Sequence, residues 1–263
     1  MKLLLCISMA VLLFSVPNLP AQTSDFCDHF DGPTLDLSKW LIDNRPANGT
    51  IAGHKGFFTP KNIDFSTGML RFTVAQKFND TLDEVLSYGA SIQSRQTFGY
   101  GKYVFVMRMA STSPTPLGRG DALSGNVSAA YTYINNAETE LDIEYRGDLP
   151  DTLYTGNWNN PDPSQHPSPG AYFNRIRQYE ALDFAGAADA FHTYVIDWEP
   201  TFVDWYVNDI RVAHHTTHVP KAPAHIKINL WGTNNPYWGG HATPEVTSYM
   251  YIRSVTFTPS VSQ

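Results

Sequence analysis

The 263-residue chain carries 18 Lys and Arg against 25 Asp and Glu, a formal net charge of −7. That balance argues against a nucleic acid or another polyanion as partner. Charged residues are 16 % and aromatics 13 %, which fits an all-β chain meeting a neutral, flat-faced partner such as a sugar chain, and equally fits any tightly packed sandwich.

Residues 1–21 read as a secretory signal peptide. Lys2 supplies a short positive region, residues 3–14 an apolar stretch, and Leu19-Pro20-Ala21 a cleavage site. The apolar run is too short for a membrane span. Cys6 lies inside it and Cys27 has no apolar run before it, so a lipoprotein signal is not supported. The expected product is one soluble domain at 22–263, extracellular or periplasmic, monomeric and free of membrane. Cleavage leaves Cys27 alone, which excludes an intramolecular disulfide. Cys27 is expected to be a small buried hydrophobe.

Strand-like runs follow at 69–75, 88–94, 101–109, 128–134, 140–145, 191–198, 202–207, 210–215, 226–230 and 249–257. Residues 102–109 are apolar on both faces, as in a central strand. Asn208-Asp209 between two such runs signals a two-residue hairpin. Helical periodicity is nearly absent, with 181–191 the best candidate for a short turn of helix. Short strands with turns between them predict a β-sandwich. Two long loops stand out, 111–126 and 159–170, the latter with four prolines.

The most informative string is Glu140-Leu141-Asp142-Ile143-Glu144. On a strand, alternate residues share a face, so the three carboxylates point one way and the two aliphatics the other. Stacked carboxylates repel, and each raises its neighbours' proton affinity. A glycosidase needs that tension, because one carboxylate must stay ionised and another protonated near neutral pH. The backbone separation from Glu140 to Glu144 is ~13 Å, whereas a retaining glycosidase holds its carboxyl groups about 5 to 5.5 Å apart. Side chains leaning together on a curved sheet would close most of that gap. Alone, the string more often marks a solvated edge strand.

Five stretches together resemble glycoside hydrolase family 16, the laminarinase, lichenase and xyloglucan-transferase group. They are Phe30-Asp31-Gly32-Pro33-Thr34-Leu35-Asp36-Leu37-Ser38-Lys39-Trp40, Phe98-Gly99-Tyr100-Gly101-Lys102-Tyr103, the acidic string itself, Phe191-His192-Thr193-Tyr194-Val195-Ile196-Asp197-Trp198-Glu199-Pro200 with Asp204-Trp205-Tyr206-Val207-Asn208-Asp209, and Ile228-Asn229-Leu230-Trp231. The resemblance covers nearly the whole mature sequence. It implies a two-sheet antiparallel jelly roll, concanavalin A-like, with a concave sugar-binding cleft. It implies Glu140 as nucleophile, Glu144 as general acid and then base, and Asp142 as the carboxyl that tunes the charge between them. The E-x-D-x-E form lacks the extra residue of E-x-D-x-x-E laminarinases, where a β-bulge realigns the strand. That places the chain nearer the lichenase and xyloglucan-transferase branch.

By the same resemblance, Trp231, Asn229, Asn157, Trp158 and Tyr133 are expected to bind substrate. An indole offers a flat platform to a sugar ring and an amide fixes a hydroxyl. Asn229 and Trp231 are two apart, and their facing the cleft is expected to need a bulge or bend. Trp198 and Trp205 are assigned to the core. Glu138 stands where lichenases carry an aromatic, as a fourth acid at one end of the cleft. Ser91 and Gln93 stand where lichenases carry an acid and an arginine. These departures put mixed-linkage specificity in doubt.

The cluster His214, His215 and His218 is not read as a metal site, since alternation separates the first two and no acid follows. No cofactor is needed for catalysis. A structural calcium is compatible with the resemblance, with no ligands located. The expected activity is a retaining endo-β-glucanase on β-1,3- or β-1,3-1,4-glucan. The rivals are a transglycosylase using the same acids and a non-catalytic carbohydrate-binding sandwich.

Overall fold

The computed structural model describes residues 25–44, 46–47, 56–160, 162, 164, 171–177 and 186–260, with the backbone alone at 46–47 and 171–177. The expected signal peptide and most of the 159–170 loop lie outside them.

Seventeen strands form among the described residues. The first nine are β1 (Phe26–Asp28), β2 (Trp40–Ile42), β3 (Pro46–Ala47), β4 (Gly56–Phe58), β5 (Ile63–Asp64), β6 (Leu70–Asn79), β7 (Glu84–Phe98), β8 (Gly101–Ser111) and β9 (Asn126–Ile134). The rest are β10 (Thr139–Arg146), β11 (Thr152–Trp158), β12 (Ala171–Arg177), β13 (His192–Trp198), β14 (Val203–Val207), β15 (Ile210–His215), β16 (Ala224–Gly232) and β17 (Val246–Pro259). All ten expected strands are present, with their ends shifted by up to several residues. Among the described residues no helix is long and apolar enough to cross a membrane.

Two layers result, antiparallel except where β4 runs parallel to β7. The front layer is β2-β7-β16-β9-β10-β11-β12. The back layer is β15-β14-β13-β8-β17-β6. Strand β7 belongs to both: residues 84–88 pair with β6 and residues 90–98 with β16. Gly89 stands at the crossover, where a Cβ would collide with the carbonyl oxygen of Leu230. A glycine lets two backbones approach that closely.

The alternation in β10 decides which residues fill the core. Leu141, Ile143 and Tyr145 point inward and join one cluster with Phe105, Ile196 and Trp205 of the back layer. Glu140, Asp142 and Glu144 are thereby turned to the outer face of the front layer. The tryptophans assigned to the core are there: Trp198 and Trp205 are both fully buried. Shifting β10 by one residue would bury three carboxylates and expose the aliphatics, so burial fixes the register.

The Asn208-Asp209 hairpin forms as expected, with φ of 49° and 66° at the two turn residues. Left-handed values at both positions match the right-handed twist of the flanking strands. Two expectations are corrected. Residues 186–191, the described end of the expected helix, form a turn. Their carbonyls are taken by the neighbouring strand: Ala187 accepts from the Met109 N–H at 2.9 Å and Ala188 from Arg108 Nε at 2.7 Å. The buried guanidinium of Arg108 also donates to Pro116 O and Ser111 Oγ, which ties down the 111–126 loop. A buried cation must find such acceptors, and its demand outweighs a weak helical pattern. Cys27 is exposed, not buried. Its neighbours Phe26 and Asp28 point inward on β1, so strand parity turns the thiol outward, 3.1 Å from His29 Nε2.

Candidate active site

The three acids sit on one strand face with defined neighbours on each side. Glu140 lies opposite Tyr133 on β9 and Trp158 on β11. Asp142 lies opposite Tyr131 and Gly156, and Glu144 opposite Ala129 and Tyr154. Gly156 and Ala129 leave space beside the second and third acids, while aromatic rings flank the first. One strand further, β16 aligns His225 with Tyr133, Lys227 with Tyr131, Asn229 with Ala129 and Trp231 with Val127. Cross-strand partners share a face, so these residues form one wall with the acids.

Asp142 is buried and the two glutamates beside it are half-buried, and the proton affinities of all three rise. Asp142, only 4 % exposed, is held well above the usual carboxylate range, first by burial and then by the charges of Glu140 and Glu144. Glu140 is pushed up to about 8 by burial and by the Glu144 charge, against a lowering pull from Lys227 and a hydrogen bond to Asp142. Glu144 is pushed up to about 7 by burial, against the pull of Arg146. The Asp142–Glu140 hydrogen bond raises the first group and lowers the second. Asp142 therefore keeps its proton and donates it to the Glu140 carboxylate. With that proton fixed, the next one is shared between Glu140 and Glu144 near neutral pH. One ionised and one protonated carboxyl is the pairing that double-displacement chemistry at an acetal requires.

The expected binding residues divide. Tyr133 and Trp158 flank Glu140, and the Trp158 indole N–H donates to the Asp142 carboxyl. Asn229 is on the acid face, where its amide donates to Tyr131 Oη at 3.0 Å. Its Oδ1 is buried with no hydrogen-bond partner among the described residues. Trp231 is on the same face but only 4 % exposed, packed with Phe58 and Val127 in a small separate cluster. No bulge is needed to bring Asn229 and Trp231 together. The register with β9 runs unbroken from His225 to Gly232, and the irregularity in β16 lies earlier, between His225 and Lys227 against β7.

Glu138 is in the β9–β10 turn instead of on the strand, its carboxylate accepting from Asn135 Nδ2 at 3.0 Å. Asn157 is a correction. Its cross-strand partner is the core residue Leu141, so it faces away from the acids. It is fully buried, and its amide donates to the carbonyls of Thr217 and His218 at 2.8 and 2.7 Å. Its Oδ1 pairs with His215 Nδ1 at 2.7 Å. The histidine string splits as alternation requires: His214 turns to Asp204 at 2.6 Å and His215 to Asn157. Among the described residues no three His, Cys, Asp or Glu side chains gather where they could hold a metal ion.

Five residues of this face were not singled out from the sequence. Lys227 and Tyr131 stand two residues from Asn229 and Tyr133, and Arg146 two from Glu144, so the same parity would have found them. Arg146 is clamped by Asp148 and lies 4.9 Å from the Trp238 ring and 5.4 Å from the Tyr154 ring. Trp238 comes from the loop after β16, where no periodicity points to it. Asp43, just past β2, accepts from Ser91 Oγ at 2.7 Å. A carboxylate thus reaches β7 at position 91, where the resemblance implies an acid.

A row of three carboxyls with raised proton affinity on the outer face of a two-layer β-sandwich points to a carbohydrate-processing class. The sequence profile of glycosyl hydrolases family 16 matches residues 54–250. A beta-glucanase of Bacillus subtilis (strain 168) is 30 % identical over 264 residues, covering 95 % of each chain. A beta-glucanase of Acetivibrio thermocellus is 27 % identical over 235 residues, covering 86 % of this chain. The chain spans 60 % of the length of that longer relative. The solved structure of Bacillus licheniformis beta-glucanase superposes with a TM-score of 0.71 at 22 % identity, covering 90 % of this chain and 99 % of the other. The chain belongs to glycosyl hydrolases family 16, and its fold is the jelly-roll sandwich of that family.

Proposed function

We propose that the chain is a secreted retaining endo-β-glucanase that hydrolyses β-1,3- or β-1,3-1,4-glucan through a covalent glycosyl-enzyme intermediate. The observation that carries this reading is the Asp142–Glu140 hydrogen bond inside a row of three acids on one strand face, the middle one buried. That hydrogen bond and Lys227 draw the proton affinity of Glu140 down, toward the ionised form that attacks an anomeric carbon. Glu144, with proton affinity raised toward neutrality, protonates the departing glycosidic oxygen. The same group then takes a proton from the water that releases the sugar. Tyr133 and Trp158 flank the reacting carbon. Asn229 offers its unpartnered Oδ1 to a sugar hydroxyl, which would relieve a buried acceptor. The name beta-glucanase borne by the relatives supports the substrate class. Secretion rests on the residue 1–21 pattern.

Lichenan, laminarin, xyloglucan, agarose and carrageenan form the test panel, with linkage analysis of products. Release of β-glucan oligosaccharides by the parent and a loss of about 10³-fold or more in Glu140→Ala are expected. Equal, negligible activity of both proteins on every polymer would leave a binding sandwich. Accumulation of longer products when an oligosaccharide acceptor is added would make the enzyme a transglycosylase.

A further inference from the structure

Lys227 is a lysine set into a face otherwise dominated by acids, and it is only 5 % exposed. It faces Tyr131, which in turn faces Asp142. Its Nζ lies 5.8 Å from the centroid of the Tyr131 ring and 5.3 Å from that of Tyr133. The ammonium therefore leans from the Asp142 row toward the row of Glu140, whose partner is Tyr133. A buried ammonium is costly unless anions or π faces offset it. Two tyrosine faces supply part of that offset, and the nearest row of carboxyls supplies the rest.

The surroundings of Glu140 on this face are few in kind. Its own strand brings Asp142 and Glu144, β9 brings Tyr131 and Tyr133, and β11 brings Trp158 and Tyr154. Strand β16 brings Lys227 and His225, and Asp43 beyond β2 adds another negative charge felt by Tyr131. His225 is kept toward its neutral form by burial, with Nδ1 placed against the carbonyls of Ser94 and Gln96. The other cation of the site, Arg146, is clamped by Asp148, and its charge draws the proton affinity of Glu144 down. Each glutamate thus has one cation that draws its proton affinity down. Burial and the Glu144 charge raise Glu140, and among the charged groups around it Lys227 is the one that pulls the other way.

We propose that Lys227 is a positioning residue for the reaction: its ammonium, held against Tyr131 and Tyr133 on the side of Glu140, favours the ionised form of that carboxyl. The inference rests on Glu140 being the nucleophile.

The test compares the parent with Lys227→Met, which keeps length and apolar volume, and Lys227→Arg, which keeps the charge. The readout is the pH profile of kcat/KM on the best polymer of the panel. The acidic limb reports ionisation of the nucleophile in the free enzyme. In Lys227→Met it is expected to move up by about one pH unit or more, with a fall of roughly tenfold at the foot of the parent limb. Lys227→Arg is expected to return the limb to its parent position. Trapping with an activated 2-deoxy-2-fluoro β-glucoside, followed by peptide mass spectrometry, separates the two ways to fail. A label on Glu140 in the parent, with superimposable profiles for parent and Lys227→Met, overturns the role of Lys227 alone. A label on another residue overturns the reading of Glu140 as well. Should Lys227→Met not fold, Lys227→Gln carries the same comparison.

Discussion

The indole N–H of Trp205, on the back layer, donates to the main-chain carbonyl of Asp142 at 3.0 Å. The bond crosses the whole core and ends on the middle residue of the acidic row. It ties the height of β10 to β14, and so sets how far the carboxyls project. Trp205→Phe keeps an aromatic ring but deletes the donor and leaves a void. A loss of about 2 to 4 kcal/mol in unfolding free energy is expected, read from denaturant melts. The carbonyl would regain freedom, so kcat should fall several-fold at a temperature where the variant is fully folded. An unchanged kcat would mean that β10 is held without this contact.

Asn157 provides a second test, because sequence and structure assign it different work. Its side chain closes three hydrogen bonds, one to His215 at the end of β15 and two to the segment just after it. Asn157→Ala would leave two carbonyls and the His215 ring without their partner. An expected destabilisation of about 2 to 4 kcal/mol follows, with KM for the folded enzyme close to that of the parent. A large rise in KM with normal stability would return Asn157 to the cleft.

These two residues show where sequence reading works and where it stops. Parity along one strand was legible: Glu140, Asp142 and Glu144 share a face because β10 is regular. Which face a strand shows to its neighbours was legible only when an apolar residue marked the core side. Asn157 sits next to Trp158, and nothing local says which of the two looks at the acids. The pairing with Leu141 settles it, and that pairing is a register between strands, invisible in one string. The expected helix at 181–191 failed at its described end for a related reason. The carbonyls of Ala187 and Ala188 answer Met109 and Arg108, nearly 80 residues away in the chain. Trp238 was missed because a loop residue carries no period, and Asp43 because its partner Ser91 lies on another strand.

Trp238 stands half-buried over the Arg146 guanidinium, with its ring centroid 5.1 Å from that of Tyr154. The stack continues the aromatic wall past Glu144. Trp238→Ala should raise KM for a long glucan by about tenfold, consistent with 1 to 2 kcal/mol of lost ring contact. The effect on kcat should be smaller. Equal KM values for the two proteins would limit the cleft to the Glu140 side.

The acids also make stability depend on pH with a definite sign. Glu140 is pushed from 4.5 to about 8 in the folded state, first by burial. Between those values the folded chain holds a proton that the unfolded chain releases. Stability therefore falls as pH rises through this window, and levels off above it. Glu140→Gln removes the titrating group while keeping shape and hydrogen-bonding capacity. The variant should match the parent near pH 4 and exceed it at pH 8 by roughly 1 to 3 kcal/mol. At this length each kcal/mol moves Tm by about 2 to 4 °C. Thermal melts of both proteins across pH 4 to 9 read the difference, which cancels every group the two share. Curves that stay parallel over the whole range would mean that Glu140 has the same proton affinity in the folded and the unfolded chain. The strain argued for the acidic row would then be absent.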